Sequence, residues 1–439
     1  MNNKWIGIML ILVALLLSGC SMQSVDELYR LPKRSEEFTN LQTVISSVMT
    51  GLEYSAPIAG ENRQTVQAVD LDGDGKSEHI LFAKGSAEKP LQIFIFSGGG
   101  GKFSLLDSIE FSGTAFDQVE YVQLNEAAGF ELVVGRQVSN EVLRSVSVYT
   151  LVDGQMEMML TTNYAKYLCS DMEEDGCSEL FVLRPGATDS DGGIAELYSF
   201  QGGTANRYAQ LTMSAPVDKI KRIISGRLQD GKNAVFVASS LDQTAVTTDV
   251  FAMVNGEFTN VALSNDTGTT METYRDHYVF GDDIDNDGIL ELPTLIPMKI
   301  SGEEAAVKKQ YLISWYAMMS DGTKVEKMHT YHNFEGGWYL ILDSEIGERF
   351  TVIQRGNGYY FYLWDEYMIT VRDLMSIHVL TGQKREEQAV EGNRFVIHRS
   401  ESAVYAAKLE VLAASHGMTK ENVKAAFRII QQDWKTGET

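Results

Sequence analysis

Residues 69–82 read VDLDGDGKSEHILF, and that acidic loop running straight into an apolar strand constrains the chain more than any other stretch. Asp70, Asp72, Asp74 and Glu78 stand at positions 1, 3, 5 and 9 of the loop, with Gly75 at position 6. This is the spacing by which a tight turn wraps oxygens around one hard cation. Alternate side chains converge, the glycine takes the sharp bend, and the backbone carbonyl at position 7, on Lys76, adds a ligand. Four carboxylates this close repel one another unless neutralised. Calcium does so with flexible coordination, whereas magnesium keeps several waters and a stricter octahedron.

The pattern recurs twice. Asp171, Glu173, Asp175, Gly176 and Glu179 repeat it, with the Cys177 carbonyl at position 7; Asp283, Asp285, Asp287, Gly288 and Glu291 repeat it again, with Ile289 at position 7. An EF-hand is excluded by context, because its loop lies between helices and closes with a glutamate at position 12. Here the glutamate at position 9 leads into HILF, LFVL or LPTLI. The chain is therefore expected to hold up to three Ca2+ ions on a sheet scaffold.

Loop starts at 70, 171 and 283 leave room for intermediate copies. YVQLNEAAGFELVVG supplies one from about Gln123, and SGRLQDGKNAVFVAS another from about Gly226. Both keep the glycine and the following strand but have lost most carboxylates, and the resulting period of about fifty residues suits an array unit such as a propeller blade. Inside each repeat a strand ending in an aromatic meets a glycine turn, as in LQIFIFSGGGGKF, SVSVYTLVDGQM and TDVFAMVNGEF. A third strand leaves that turn and a fourth leads into the next loop, as FDQVEYVQL does. Four short strands per repeat fit a β-propeller blade better than a helical solenoid.

These loops resemble the calcium loops of FG-GAP or VCBS-type repeats, the propeller blades of integrin α-subunits and of many bacterial surface proteins. The resemblance covers roughly residues 60–335. It implies a mainly β chain: a β-propeller of about five four-stranded blades over 51–335, followed by a small α+β domain over 336–439. Val66–Val69, a strand with no blade before it, is expected to close the ring beside the repeat that begins at Glu291. A six- or seven-bladed ring borrowing strands from the C-terminal domain stays open. That domain is expected to carry a pair of helical stretches. One runs from about Ser402 to Ser415; the other follows a Thr419 N-cap and stripes Val423, Phe427, Ile430 and Trp434. The Tyr and Trp residues there read as core.

The N-terminus reads MNNKWIGIMLILVALLLSGC, and its apolar run from Trp5 to Leu17 is shorter than a spanning helix needs. Leu17-Ser18-Gly19-Cys20 resembles the lipobox of bacterial lipoproteins. That resemblance implies a signal peptide over 1–19, lipid on Cys20, a tether over 20–50, and attachment to a bacterial cell membrane facing outside the cytoplasm. A net charge of -23 sets nucleic acid aside as a partner. Cys169 and Cys177 flank or enter the middle loop at positions -1 and 7. Outside the cytoplasm such a pair tends to oxidise to a disulfide, with two free thiols as the alternative.

Catalytic signals are weak. Of seven histidines only His329 and His332 fall close together, and strand geometry puts an i, i+3 pair on opposite faces. No recognisable nucleophile motif occurs, and SGGGGK at 97–102 lacks phosphate-loop spacing and reads as a hairpin. The expected function is a non-enzymatic, lipid-anchored, calcium-braced binding or adhesion module for a protein or glycan. The alternative is a propeller hydrolase or lyase acting on envelope or extracellular polysaccharide.

Overall fold

The strands that follow the loops are apolar without alternation (HILFA, LVVG, LFVL, AVFVA), as strands covered on both faces must be. The computed structural model describes residues 36–430, apart from 100–101, 139–142, 189–190, 243, 264–270, 277–278, 300–309, 343–348, 366 and 368. Cys20, the lipobox and Trp434 lie outside the described residues. Within them no helix is long and apolar enough to cross a membrane.

The architecture is six antiparallel sheets in sequence order. Sheet 1 holds β1 (Glu53–Tyr54), β2 (Val66–Val69), β3 (Glu78–Lys84), β4 (Leu91–Gly99) and β5 (Lys102–Phe111). Sheet 2 is β6 (Ala115–Val122), β7 (Glu131–Gln137), β8 (Arg144–Val152) and β9 (Gln155–Tyr164). Sheet 3 is β10 (Lys166–Ser170), β11 (Glu179–Arg184), β12 (Ile194–Ser199) and β13 (Asn206–Thr212). Sheet 4 is β14 (Ile220–Arg227), β15 (Asn233–Ser240), β16 (Val246–Val254) and β17 (Glu257–Asn260). Sheet 5 runs through β18 (Glu291–Pro297), β19 (Tyr311–Met318), β20 (Lys324–Asn333) and β21 (Trp338–Leu342). Sheet 6 contains β22 (Phe350–Arg355), β23 (Gly358–Trp364), β24 (Val371–Thr381), β25 (Phe395–Arg399) and β26 (Ala403–Leu409), and a last strand, β27 (Phe427–Ile429), returns to the edge of sheet 5.

Each sheet packs against the next. Phe82 and Ile93 of sheet 1 meet Phe116 and Val134 of sheet 2. On β7, Val133 turns the other way to join Leu180 and Val182 of sheet 3. Phe181 then meets Phe251 of sheet 4, Phe236 meets Leu292 and Tyr316 of sheet 5, and Trp338 meets Phe350 and Phe361 of sheet 6. The free face of sheet 1 is covered by helix α1 (Glu36–Val48), which lays Leu41 and Ile45 on Leu81, Ala83, Phe94 and Phe96.

Several sequence expectations need correction. The expected exchange of Val66–Val69 onto the repeat of Glu291 is not made: β2 pairs with β3 of its own sheet, Val69 opposite Glu78. The intervening loop is a tight hairpin, and local closure costs far less chain entropy than a pairing across more than two hundred residues. For the same reason the strand leading into each loop belongs to the sheet that follows, so β6 pairs with β7. Among the described residues sheet 6 is a sixth unit built from the C-terminal part, as the open alternative to five allowed, and the boundary at 335/336 falls inside sheet 5, because β21 and β27 complete it.

The helix expected over 402–415 is mostly strand β26. Its Val404 and Ala406 pack one way while Ala403, Tyr405 and Ala407 pack the other, so the segment is buried on both faces between β24 and β25. Only Val411–Ser415 is helical. Thr419 does cap a helix, accepting the Asn422 N–H at 3.1 Å, but that helix ends at Ala426 and Phe427 begins β27. Trp338, fully buried at the shared core of sheets 5 and 6, tests this arrangement. Trp338→Ala is expected to cost about 3–5 kcal/mol in urea unfolding, and a loss below about 1 kcal/mol would contradict a common core.

Candidate metal centres

The acidic loops are the hairpin links from β2 to β3 in sheet 1 and from β10 to β11 in sheet 3; in sheet 5 the strand before the loop is reduced to the single bridge Asp282–Glu291. One hydrogen bond recurs. The glutamate at position 9 accepts the backbone N–H of the residue at position 2: Glu78 from Leu71 (2.9 Å), Glu179 from Met172 (2.8 Å) and Glu291 from Ile284 (3.1 Å). The worn loop of sheet 2 keeps it, Glu131 accepting from Leu124 at 2.8 Å. The position-2 side chains are buried, and Leu71, Leu124 and Met172 each plug the seam between their own sheet and the next.

Position 1 closes the turn. Asp70, Asp171 and Asp283 accept the N–H of Gly75, Gly176 and Gly288 at 2.9–3.0 Å. Those glycines have φ of +85°, +91° and +86°, a left-handed bend that explains the residue type at position 6.

In two loops the carboxylates converge. Asp70, Asp72 and Glu78, and likewise Asp283, Asp285 and Glu291, each bring three carboxylate oxygens within 4.8 Å of one another. Asp70 Oδ1 and Glu291 Oε1 are buried without a hydrogen-bond partner, and Glu291 is fully buried. Oxygen-only donors, three negative charges and orphaned acceptors fit a hard divalent cation such as Ca2+. The position-5 carboxylates face lysines instead, Asp74 with Lys76 and Asp287 with Lys327, each at 2.7–2.8 Å. Both are held below the usual carboxylate range by that lysine bond.

The middle loop is different. Glu173, one methylene longer than the aspartates at position 3 elsewhere, takes the Tyr208 hydroxyl, and Asp175 Oδ2 accepts from Gln201. Asp171, Glu173, Asp175 and Glu179 do not form a converging group like the other two. Burial, followed by the neighbouring acids, pushes Glu179 and Glu291 up to about 7 and also raises Glu78.

In the worn loop of sheet 2, Asn125 occupies position 3 and donates Nδ2 to Glu131 Oε1 at 2.7 Å. A neutral amide thus stands where the other loops have a carboxylate. The worn copy is legible in the sequence but this clamp is not, although LNEAAGFE keeps both the apolar position 2 and the glutamate at position 9.

All five loops lie side by side at one end of the stack. A Cβ on Gly129 would stand 2.3 Å from the Leu71 carbonyl, so glycine is required where the first two loops touch. Ser178 N–H bonds the Gln123 carbonyl at 2.8 Å, Asn233 N–H bonds Glu174 at 3.0 Å, and Leu290 N–H bonds the Arg227 carbonyl at 2.9 Å.

The expected disulfide is not formed; Cys169 and Cys177 are free thiols. Burial, then the nearby Glu120, raises Cys169 well above its ordinary value, and burial with Asp175 raises Cys177. Both stay protonated at neutral pH, and a thiol reacts as its thiolate.

No protein-family model matches the chain, and no curated protein matches it either. Among solved structures the chain is similar to rhamnogalacturonan lyase YesW at 13% identity, over 73% of this chain and 62% of that one, with a TM-score of 0.36. It is also similar to the rhamnogalacturonan lyase PL11 of Bacillus licheniformis (11% identity, 73% and 72% covered, TM-score 0.32). A third is a protein from Lactobacillus plantarum (12%, 73% and 86%, 0.26). Values this low assign neither a fold family nor an activity to this chain.

With Glu179 and Glu291 raised in the folded state, the metal-free protein binds protons more tightly folded than unfolded. Its stability from these groups is full below about pH 4.5 and is lost as pH rises through about 7. Melting temperature in chelator is therefore expected to fall over that range, less steeply in Glu291→Gln, while calcium affinity rises as protons cease to compete. Separately, Tyr208→Phe removes the hydroxyl that holds Glu173. Calorimetric titration of this variant is expected to show tighter calcium binding at the middle loop, with the other two loops unchanged.

Proposed function

We propose that this protein is a non-enzymatic, calcium-braced binding module, tethered by a lipid on Cys20 to a bacterial cell membrane, facing outside the cytoplasm and presenting its sheet stack to a protein or glycan. The observation that carries the calcium reading is Glu291, a fully buried carboxylate whose Oε1 has no hydrogen-bond partner and converges with Asp283 and Asp285. A buried anion with an orphaned oxygen is costly unless a cation sits against it. The Asp70 loop repeats the arrangement, and the middle loop takes a third ion once Glu173 leaves Tyr208.

A binding role is favoured over polysaccharide hydrolysis or elimination by where the perturbed carboxylates lie. Glu78, Glu179 and Glu291 are spent on the hairpin clamps of separate sheets, and the carboxylates raised by burial away from the loops, Glu120 on β6 and Asp249 on β16, stand on two different sheets. Calcium on these loops locks the seam-plugging residues in place and so stiffens the stack.

With Kd on the order of 10⁻⁴ to 10⁻³ M, as for extracellular modules, about 1 mM calcium adds roughly 0.4 to 1.4 kcal/mol per site. Scanning calorimetry is expected to show a higher melting temperature in calcium than in chelator, with most of the difference lost in Asp72→Asn/Asp285→Asn. Equal melting temperatures with no copurifying metal would overturn the calcium reading. Cys20→Ala is expected to leave the membrane fraction or to stay unprocessed, and a lipid-modified membrane protein in that variant would overturn the anchor.

A further inference from the structure

At the end of sheet 5 remote from its acidic loop lies a cavity of ≈ 280 Å³, walled by β19, β20 and the β22–β23 hairpin of sheet 6. The register fixes its position: Glu291 pairs with Ala317 at the loop end, and Leu295 with Ile313 at the cavity end. Its wall contains polar atoms with nothing to bond. Asn333 is buried, and its Oδ1 accepts the Gly336 N–H at 2.8 Å, which orients the amide; its Nδ2 is a buried donor without a hydrogen-bond partner. Gln310 Oε1, in the same wall, is a buried acceptor without one. At the exposed mouth Gln354 donates to the Tyr359 hydroxyl at 3.3 Å, placing an amide beside a phenol.

The remaining surface is mainly apolar and aromatic, with Glu335 as its one carboxylate among the described residues. Tyr331 stands edge-on to Phe361 with ring centroids 5.6 Å apart, Tyr359 stands edge-on to Trp338 at 5.2 Å, and Phe334 is half-buried beside them. Among the described residues no lysine or arginine lines the cavity, so an anionic ligand would find no counter-charge there, and His332 in its wall is kept neutral by burial, pushed down to about 3.

We infer that this cavity binds a neutral pyranose ring of a glycan. Hydroxyls both donate and accept, so a ring offers partners to amide donors and amide acceptors alike, of which this wall holds both. Its C–H faces suit aromatic walls, which supply apolar area around a few placed polar groups. The volume falls just under the roughly 300 to 1,000 Å³ usual for small-molecule clefts, which suits one ring at a chain end or branch and not an internal stretch of polysaccharide. The inference rests on the binding-module proposal and narrows its ligand.

Saturation-transfer NMR on the unlipidated mature chain tests it, with methyl glycosides of glucose, galactose, mannose and N-acetylglucosamine, and with glucuronic and galacturonic acids as charged controls. At least one neutral glycoside is expected to bind, to weaken tenfold or more in Asn333→Ala and Gln354→Ala, and to bind unchanged in Asp285→Asn. Gln354 is exposed, so its variant carries the test if Asn333→Ala does not fold. Absence of binding by every neutral glycoside, binding confined to the uronic acids, or equal binding in Gln354→Ala would each overturn the inference. Calcium stabilisation without sugar binding would sink this inference alone. Sugar binding without calcium stabilisation would sink only the calcium proposal, and turnover of a bound glycoside would sink the non-enzymatic role and leave the site standing.

Discussion

The hydrogen bond from the position-2 amide to the position-9 glutamate is the interaction on which the stack depends. In four loops a buried glutamate, Glu78, Glu131, Glu179 or Glu291, caps the N–H of an apolar residue that has left its strand. Without the cap that amide would be an orphaned donor inside the protein. With it, the apolar side chain is free to enter the core, and in the first three loops it enters the seam with the next sheet. The loop is thus both the turn of a hairpin and the rivet between sheets, and neighbouring loops are joined by the Ser178–Gln123 and Leu290–Arg227 backbone bonds and by the Asn233 N–H on the Glu174 carboxylate.

That clamp carries an electrostatic cost that differs between copies. Where Asn125 replaces a carboxylate, the glutamate receives an amide donor and the loop is neutralised by the protein itself. Where carboxylates persist, Glu179 and Glu291 are driven toward protonation, and Asp74 and Asp287 at position 5 recruit lysines while Asp175 takes the Gln201 amide. In the second loop an amide of the protein thus meets a carboxylate, whereas the acidic loops leave Asp70 Oδ1 and Glu291 Oε1 without a hydrogen-bond partner. The cavity in sheet 5 lies toward the other end of β18 from its acidic loop, with Leu295 and Ile313 in its wall and Glu291 at the loop.

Stacking makes inner sheets easy to bury and leaves the outer faces to be covered. The first sheet is closed by Leu41 and Ile45 of α1, a helix that stands in place of a neighbouring sheet. At the other end, β27 returns to pair with β21, and Phe427 stacks on Trp338 at 5.5 Å, tying the last described residues into the core shared by sheets 5 and 6. This return is what makes 336–430 belong to the array.

The sequence by itself determined the loops, their period and the mainly β character. Each is a local property: carboxylates at alternate positions before a left-handed glycine, and apolar runs too continuous for half-exposed strands. It also marked Thr419 as a cap, since capping is decided within a single turn. Only the tertiary structure decided which strand pairs with which. Val66–Val69 has the same residues whether it closes a ring or a hairpin, and the short loop decides for the hairpin. The segment AVYAAKL suits a helix by composition, yet covers on both faces make it a strand. The diversion of Glu173 to Tyr208, and the meeting of Gln310, Asn333 and Gln354 in one wall, join residues from separate strands, and no local pattern encodes a contact whose partners are brought together only by packing.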